Sequence, residues 1–158
     1  MEDKEKIFEA FAAPGSLKVG HYSHGIHPVV PGVPVTLAGI VGKEITIEAG
    51  TIKIGKLAPG GVGPETRCIL EEIQRQLKEI QLRLRHVMHV RVMLAGPIGT
   101  TDQPSEDFAT MNEVYKYIFM GSNPPPTRDT VGGCELLDDA RVEMVATAWK
   151  PDSTQEKE

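Results

Sequence analysis

Cysteine is scarce in this chain, and its scarcity excludes two classes of protein. Of 158 residues only Cys68 and Cys134 carry a thiol. Their separation fits no zinc-ligand spacing, and a single pair builds no disulfide framework. Cys68 falls in a helical run, where it reads as a small apolar side chain. Long hydrophobic runs are missing too: no stretch approaches the roughly 18 apolar residues of a membrane span. The opening Met-Glu-Asp-Lys-Glu-Lys has no apolar segment and does not read as a signal peptide. The expected setting is a reducing compartment, cytoplasmic with a mitochondrial one left open. Positive charge is not in excess either. A net charge of −5 disfavours a nucleic-acid surface, because phosphate binding needs clustered Lys and Arg. Lys78, Arg83, Arg85 and Arg91 do lie close in sequence, and read as the solvated face of a helix and a strand.

What is present fits one domain. At 17.2 kDa, with 40% apolar and 25% charged residues, the chain is long enough to bury a core and ordinary in composition for a soluble globular protein. Ile7, Phe8 and Phe11 at helical spacing predict a short amphipathic turn within residues 1–13. Leu17 to Ile26 reads as a strand, Val35 to Val41 as a second, and Lys43 to Ile54 as a region turning at Ala49-Gly50. Ile69, Ile73, Leu77, Ile80 and Leu84 recur at steps of three and four, with Pro64 in the first turn. They predict a helix running to about Arg85. His86 to Leu94 follows as a strand. Ser105, Glu106 and Asp107 open a second helix that carries Phe108, Met111, Val114, Tyr115 and Ile118 and ends near Gly121. The Pro124-Pro125-Pro126 tract leads into a strand holding Arg128, and Val142 to Trp149 is the last strand. From Pro151 onward a polar tail is expected to be disordered.

This order predicts an α+β fold: a single mixed sheet with two helices on one face. Apolar residues on both parities of the strands predict that the second face is also buried, through assembly of several copies.

Most candidate sites dissolve on inspection. His21, His24 and His27 are three apart, so in a strand they alternate between faces and cannot converge on a metal; His86 and His89 behave alike. Gly60-Gly61-Val62-Gly63-Pro64 precedes a helix but lacks the fuller phosphate-loop pattern. No Ser or Cys has a His and acid at recognisable spacing. Arg128 is different. It stands on a rigid frame after three prolines, and its planar fork suits a carboxylate. Its structural alternative is a salt bridge to Asp129 or Asp138. Glu143 lies 15 positions on, on what reads as a neighbouring strand, so the two are expected to face one cleft.

Several stretches resemble the RidA family, also called YjgF/YER057c/UK114. Residues 13–24 (Ala-Pro-Gly-Ser-Leu-Lys-Val-Gly-His-Tyr-Ser-His) resemble its Gly-Pro-Tyr-Ser-Gln opening. Glu-Thr-Arg-Cys-Ile-Leu-Glu-Glu-Ile (65–73) is similar to its Gln-Thr-Arg-x-x-Leu-x-Asn-Ile helix start. Asp-Phe-Ala-Thr-Met-Asn-Glu-Val-Tyr (107–115) is similar to its second helix. Pro126-Thr127-Arg128 and Val142-Glu143-Met144 match its Pro-Ala-Arg and Ile-Glu-Ile strands without a gap. The likeness covers about residues 13–149 of one domain spanning 1–158.

The resemblance implies a chorismate-mutase-like fold, a homotrimer with clefts between subunits, and no cofactor or metal. It implies an enamine/imine deaminase that hydrolyses 2-aminoacrylate and related 2-imino acids to 2-keto acids and ammonia. Carried over by position, Arg128 binds the substrate carboxylate, and Glu143 positions or activates water. Tyr22 lines the pocket and helps hold that water, as a third catalytic residue; Gly39 offers its backbone N–H to the carboxylate, Thr130 a backbone carbonyl, and Ala38 joins them in binding substrate. Asn112 is expected to be structural. Departures bear on substrate preference: Ala38-Gly39-Ile40 stands for Ser-Gly-Gln, His21 for Pro, His24 for Gln, Thr130 for Cys and Val145 for Glu. Gly132-Gly133 replaces larger residues, and the 97–105 loop is longer. The alternatives are a non-catalytic module for small carboxylates such as 2-keto acids, and, behind it, an RNA-cleaving or protein-stabilising role.

Overall fold

Apolar alternation along one strand organises the molecule. In strand β9 (Val142–Pro151), Val142, Met144, Ala146 and Ala148 are buried while the residues between them are only partly so. The computed structural model describes residues 6–17 and 20–152. Within it β9 pairs antiparallel with β3 (Gly32–Thr36), β4 (Ile40–Val41) and β7 (Val87–Leu94). The remaining strand, β8 (Thr127–Val131), runs parallel to β7, which makes this five-stranded sheet mixed. Its order is β3-β9-β7-β8, with β4 also on β9.

Two helices cover one face. Helix α1 (Val62–Glu79) buries Ile69, Leu70, Ile73 and Leu77, and α2 (Glu106–Phe119) buries Met111, Tyr115 and Phe119, all against the buried parity of β7 and β9. Ser105 caps α2 by accepting the N–H of Phe108, as its side-chain type predicts. The expectation of an α+β fold with a mixed sheet and two helices is met.

Details differ. The sheet is not single: β1 (Phe8–Phe11) pairs with β2 (Gly25–Pro28), and β5 (Lys43–Glu48) pairs with β6 (Thr51–Leu57), each as a separate ribbon. The expected N-terminal helical turn is therefore strand β1. Tertiary pairing and burial of Ile7 and Phe8 override the local pattern. The strand expected over Leu17–Ile26 shrinks to Gly25–Pro28; residues 18–19 lie outside the described part, and 20–22 bend. Val35 to Val41 splits into β3 and β4. Helix α1 stops at Glu79 rather than Arg85, because Gln81 takes a left-handed conformation and Leu84–His86 form a 3-10 turn.

The β5–β6 ribbon is as expected at its turn, where Ala49 and Gly50 both have positive φ. Ile45 faces Ile54 and Ile47 faces Ile52, so four isoleucines share one face. Ile47 is 70% exposed and Ile54 68%. The sheet face away from the helices is mixed in character, bearing Met93, Val131 and Val145 beside His89, Arg91, Asp129 and Glu143. The tail at 153–158 lies outside the described residues, while Pro151 itself ends β9.

Candidate functional site

Arg128 points toward the helices. Its register partner Val90 belongs to the core parity of β7. The guanidinium carbon lies 4.9 Å from the ring centre of Tyr115, 5.3 Å from that of Tyr22 and 5.8 Å from that of Phe108. Nη1 lies 3.9 Å from Met111 Sδ. Burial pushes the Arg128 pKa down and that of the Tyr115 phenol up.

Both candidate salt-bridge partners are engaged elsewhere. Asp129 bonds Arg91 at 2.7 Å, and Asp138 bonds Lys43 at 2.6 Å. Among the described residues no carboxylate pairs with Arg128. Aromatic faces offset part of the cost of burying its charge, but an anion would offset far more.

Gly20 explains how the chain crosses this cation. A Cβ there would lie 2.8 Å from Arg128 Nη2 and 3.2 Å from Asn112 Oδ1, so only a glycine lets the backbone approach so closely. Asn112 Oδ1 and the Tyr115 hydroxyl are both buried, and among the described residues neither has a hydrogen-bond partner. Thr130 follows Arg128 on the same side of β8, in register with Val92.

Glu143 sits elsewhere. It pairs with Val41 on one side and Met93 on the other, on the parity of β9 that faces away from the helices. Its Oε1 lies over Gly39, where a Cβ would approach to 2.1 Å. Ala38 and Gly39 are exposed in the gap between β3 and β4.

The expectation that Arg128 and Glu143 occupy neighbouring strands and face one cleft of one chain is therefore corrected. Strand β7 runs between β8 and β9, and the two side chains leave opposite faces of the sheet. Two strand spacings and three residues of offset put their backbones roughly 14 Å apart. One chain thus carries two separate groupings. The first is Arg128 with Tyr22 and Thr130, and the second is Glu143 with Gly39 and Ala38.

The other residues singled out in the sequence disperse. His21 Nε2 lies 3.3 Å from the carbonyl of Phe119, His24 Nε2 lies 2.8 Å from that of Leu17, and His27 lies near Glu9. His86 Nδ1 accepts the Arg83 N–H, and His89 lies between Thr127 and Asp129. Cys68 and Cys134 are free thiols. Arg85, read as solvated, instead has a buried Nε. The aromatic box around Arg128 escaped sequence reasoning, although Phe108, Met111 and Tyr115 on one helical face were its signal.

Comparison with known proteins decides the family. Residues 13–150 match the family described as Endoribonuclease L-PSP. The chain belongs to this family, the RidA/YjgF family. Among its relatives is a RutC family protein of Pyrococcus abyssi, 34% identical over 121 residues, covering 74% of this chain and 87% of that one. The mouse 2-iminobutanoate/2-iminopropanoate deaminase is 34% identical over 94 residues, covering 60% of this chain and 62% of the enzyme. Escherichia coli TdcF, solved with bound serine, superposes with a TM-score of 0.55 at 26% identity over 92% of this chain and 99% of that one. No helix among the described residues of this RidA-family chain is long and apolar enough to cross a membrane.

Proposed function

We propose that this RidA-family protein is an enamine/imine deaminase whose cleft lies between copies, with Arg128 of one copy and Glu143 of the next. The observation that carries this reading is the half-buried Arg128 guanidinium, framed by aromatic rings and unpaired with any described carboxylate. Such a cation is preorganised for a carboxylate, which takes its fork bidentately. Relatives of mouse, rat and cow named 2-iminobutanoate/2-iminopropanoate deaminase support the substrate class.

In the reaction, Arg128 and the Gly39 N–H hold the carboxylate of the 2-imino acid and fix its imine carbon. Tyr22 walls the pocket, and the Thr130 carbonyl faces the reacting end. Glu143 orients a water and accepts its proton as oxygen adds to that carbon. Glu143 returns that proton to the nitrogen; the carbinolamine then collapses, its hydroxyl proton also passing to nitrogen as the C–N bond breaks, releasing ammonia and the 2-keto acid. A second copy is needed because Arg128 and Glu143 leave opposite faces of their own sheet. The trimer is the assembly that this reading requires, with the open sheet faces turned together.

The test is complementation. Arg128→Ala and Glu143→Ala are each expected to lose acceleration of keto-acid release from 2-aminoacrylate made in situ by a serine dehydratase. Refolded together in equal amounts, random pairing leaves about a quarter of the junctions with both side chains intact, and activity returns to about that fraction. A mixture as dead as its parts sinks the shared cleft. Unaccelerated hydrolysis by the wild type, with a 2-keto acid still bound at Arg128, favours the carboxylate-binding module instead. An RNA-cleaving role is disfavoured by the net charge of −5.

A further inference from the structure

Among the described residues Glu65 is the one acidic side chain that is buried, at 3% exposure. It belongs to the first turn of α1, yet its carboxylate serves the sheet. Oε2 accepts the backbone N–H of Arg141 at 2.9 Å. On another side Gly42 packs against it so closely that a Cβ there would lie 2.5 Å from Glu65 Cα and 2.6 Å from its Cβ.

Those two segments flank Glu143. Arg141-Val142 leads directly into it, and Gly42 follows Val41, its partner in register. The carboxylate thus joins α1 to the start of β9, two residues from the group that handles the water, while Gly42 packs on the Glu65 backbone and Cβ. The position holds Gln in the family's helix motif. An amide oxygen can accept the Arg141 N–H as a carboxylate oxygen does, so Gln keeps the bond without the charge.

We propose that Glu65 is a positioning residue, whose carboxylate holds the start of β9 so that Glu143 keeps its place in the cleft. The proposal rests on the deaminase reading of Glu143. Two charged groups act on Glu65 besides the backbone donor. The Arg141 side chain favours its ionised form, and Asp107, which bonds Arg141 at 2.5 Å, opposes it. Burial is the largest influence and raises the Glu65 pKa. As pH falls, the ionised clamp is therefore lost at a higher pH than an ordinary glutamate would lose its charge.

Glu65→Ala and Glu65→Gln, made in the full chain, separate this role from plain stability. In Glu65→Ala, kcat per folded molecule is expected to fall at least about tenfold, because small displacements of a catalytic group are costly. KM should stay within about twofold, since Arg128 is untouched. Glu65→Gln should recover most of kcat at neutral pH and move the acid limb of the kcat profile to lower pH. Hydrogen exchange by mass spectrometry reads the clamp without catalysis: amides 141–143 should exchange faster in Glu65→Ala and recover in Glu65→Gln. Unchanged exchange, or an undiminished kcat in folded Glu65→Ala, overturns the proposal. An inactive wild type whose exchange responds as expected would sink the deaminase reading and leave the clamp standing.

Discussion

The two groupings on this chain are built in opposite ways. Arg128 lies half-buried on the helix side, crossed by Gly20 and flanked by the rings of Tyr22, Phe108 and Tyr115. Glu143 stands on the opposite face, with β4 and β7 on either side and the exposed Gly39 beneath it. Folding has already removed part of the cation's hydration. Under the proposed function an incoming carboxylate meets a guanidinium that aromatic rings hold in place, which strengthens the contact.

Removing that cation should have the largest effect. Arg128→Ala is expected to lower kcat/KM for a 2-imino acid about a hundredfold or more, the scale of a desolvated, bidentate charge pair. Arg128→Lys should restore only part, because an ammonium offers a point charge in place of the fork. Steady-state kinetics decides it, and an equal rate in Arg128→Ala would erase the contrast between the two groupings. Gly39→Ala probes the other side. Its Cβ would meet Glu143 Oε1 at 2.1 Å, so the carboxylate must move; kcat should drop about tenfold while the chain stays folded. An unaffected Gly39→Ala would show that Glu143 tolerates displacement and is not a placed group.

The smallest effect is expected at Asp129, which shares the sheet face of Glu143 but is exposed and paired with Arg91. Arg91 hydrogen-bonds Asp129 and holds its pKa below the usual carboxylate range. A depressed carboxylate stabilises the fold above its unfolded pKa and loses that contribution as pH falls through the folded one. Asp129→Asn should therefore cost under about 0.5 kcal/mol at neutral pH, as exposed pairs do. Its difference from wild type should shrink in acid, as thermal melts against pH would record. A cost that grew in acid would reverse the assignment.

Much of this was legible from residues alone. Both helices follow from their apolar spacing and caps, the β5–β6 turn from Ala49-Gly50, and Arg128 from its proline frame. Local pattern does not encode strand order, and there the reading went astray. β8 and β9 are consecutive in the chain, so they read as neighbours, but β7 reaches in from an earlier position and takes the place between them. Which face each side chain leaves follows from pairing as well, so that Arg128 and Glu143 leave opposite faces is not legible in the residues alone. The N-terminal segment shows the same limit. Phe8 and Phe11 satisfy a helical period, and only pairing with Gly25–Pro28 makes them strand.

The ribbon of β5 and β6 has a practical consequence. Four isoleucines in cross-strand pairs form a flat apolar ladder, with Ile47 and Ile54 more than two-thirds exposed. Sulfate and phosphate strengthen apolar association because they are excluded from protein surfaces. At the bench this makes the ribbon the sticky edge of the molecule, the first to retain it on a hydrophobic resin and the first to salt it out. Threonine at Ile47 and Ile54 keeps the β-branched shape that strands favour and gives the same fold a wetter skin.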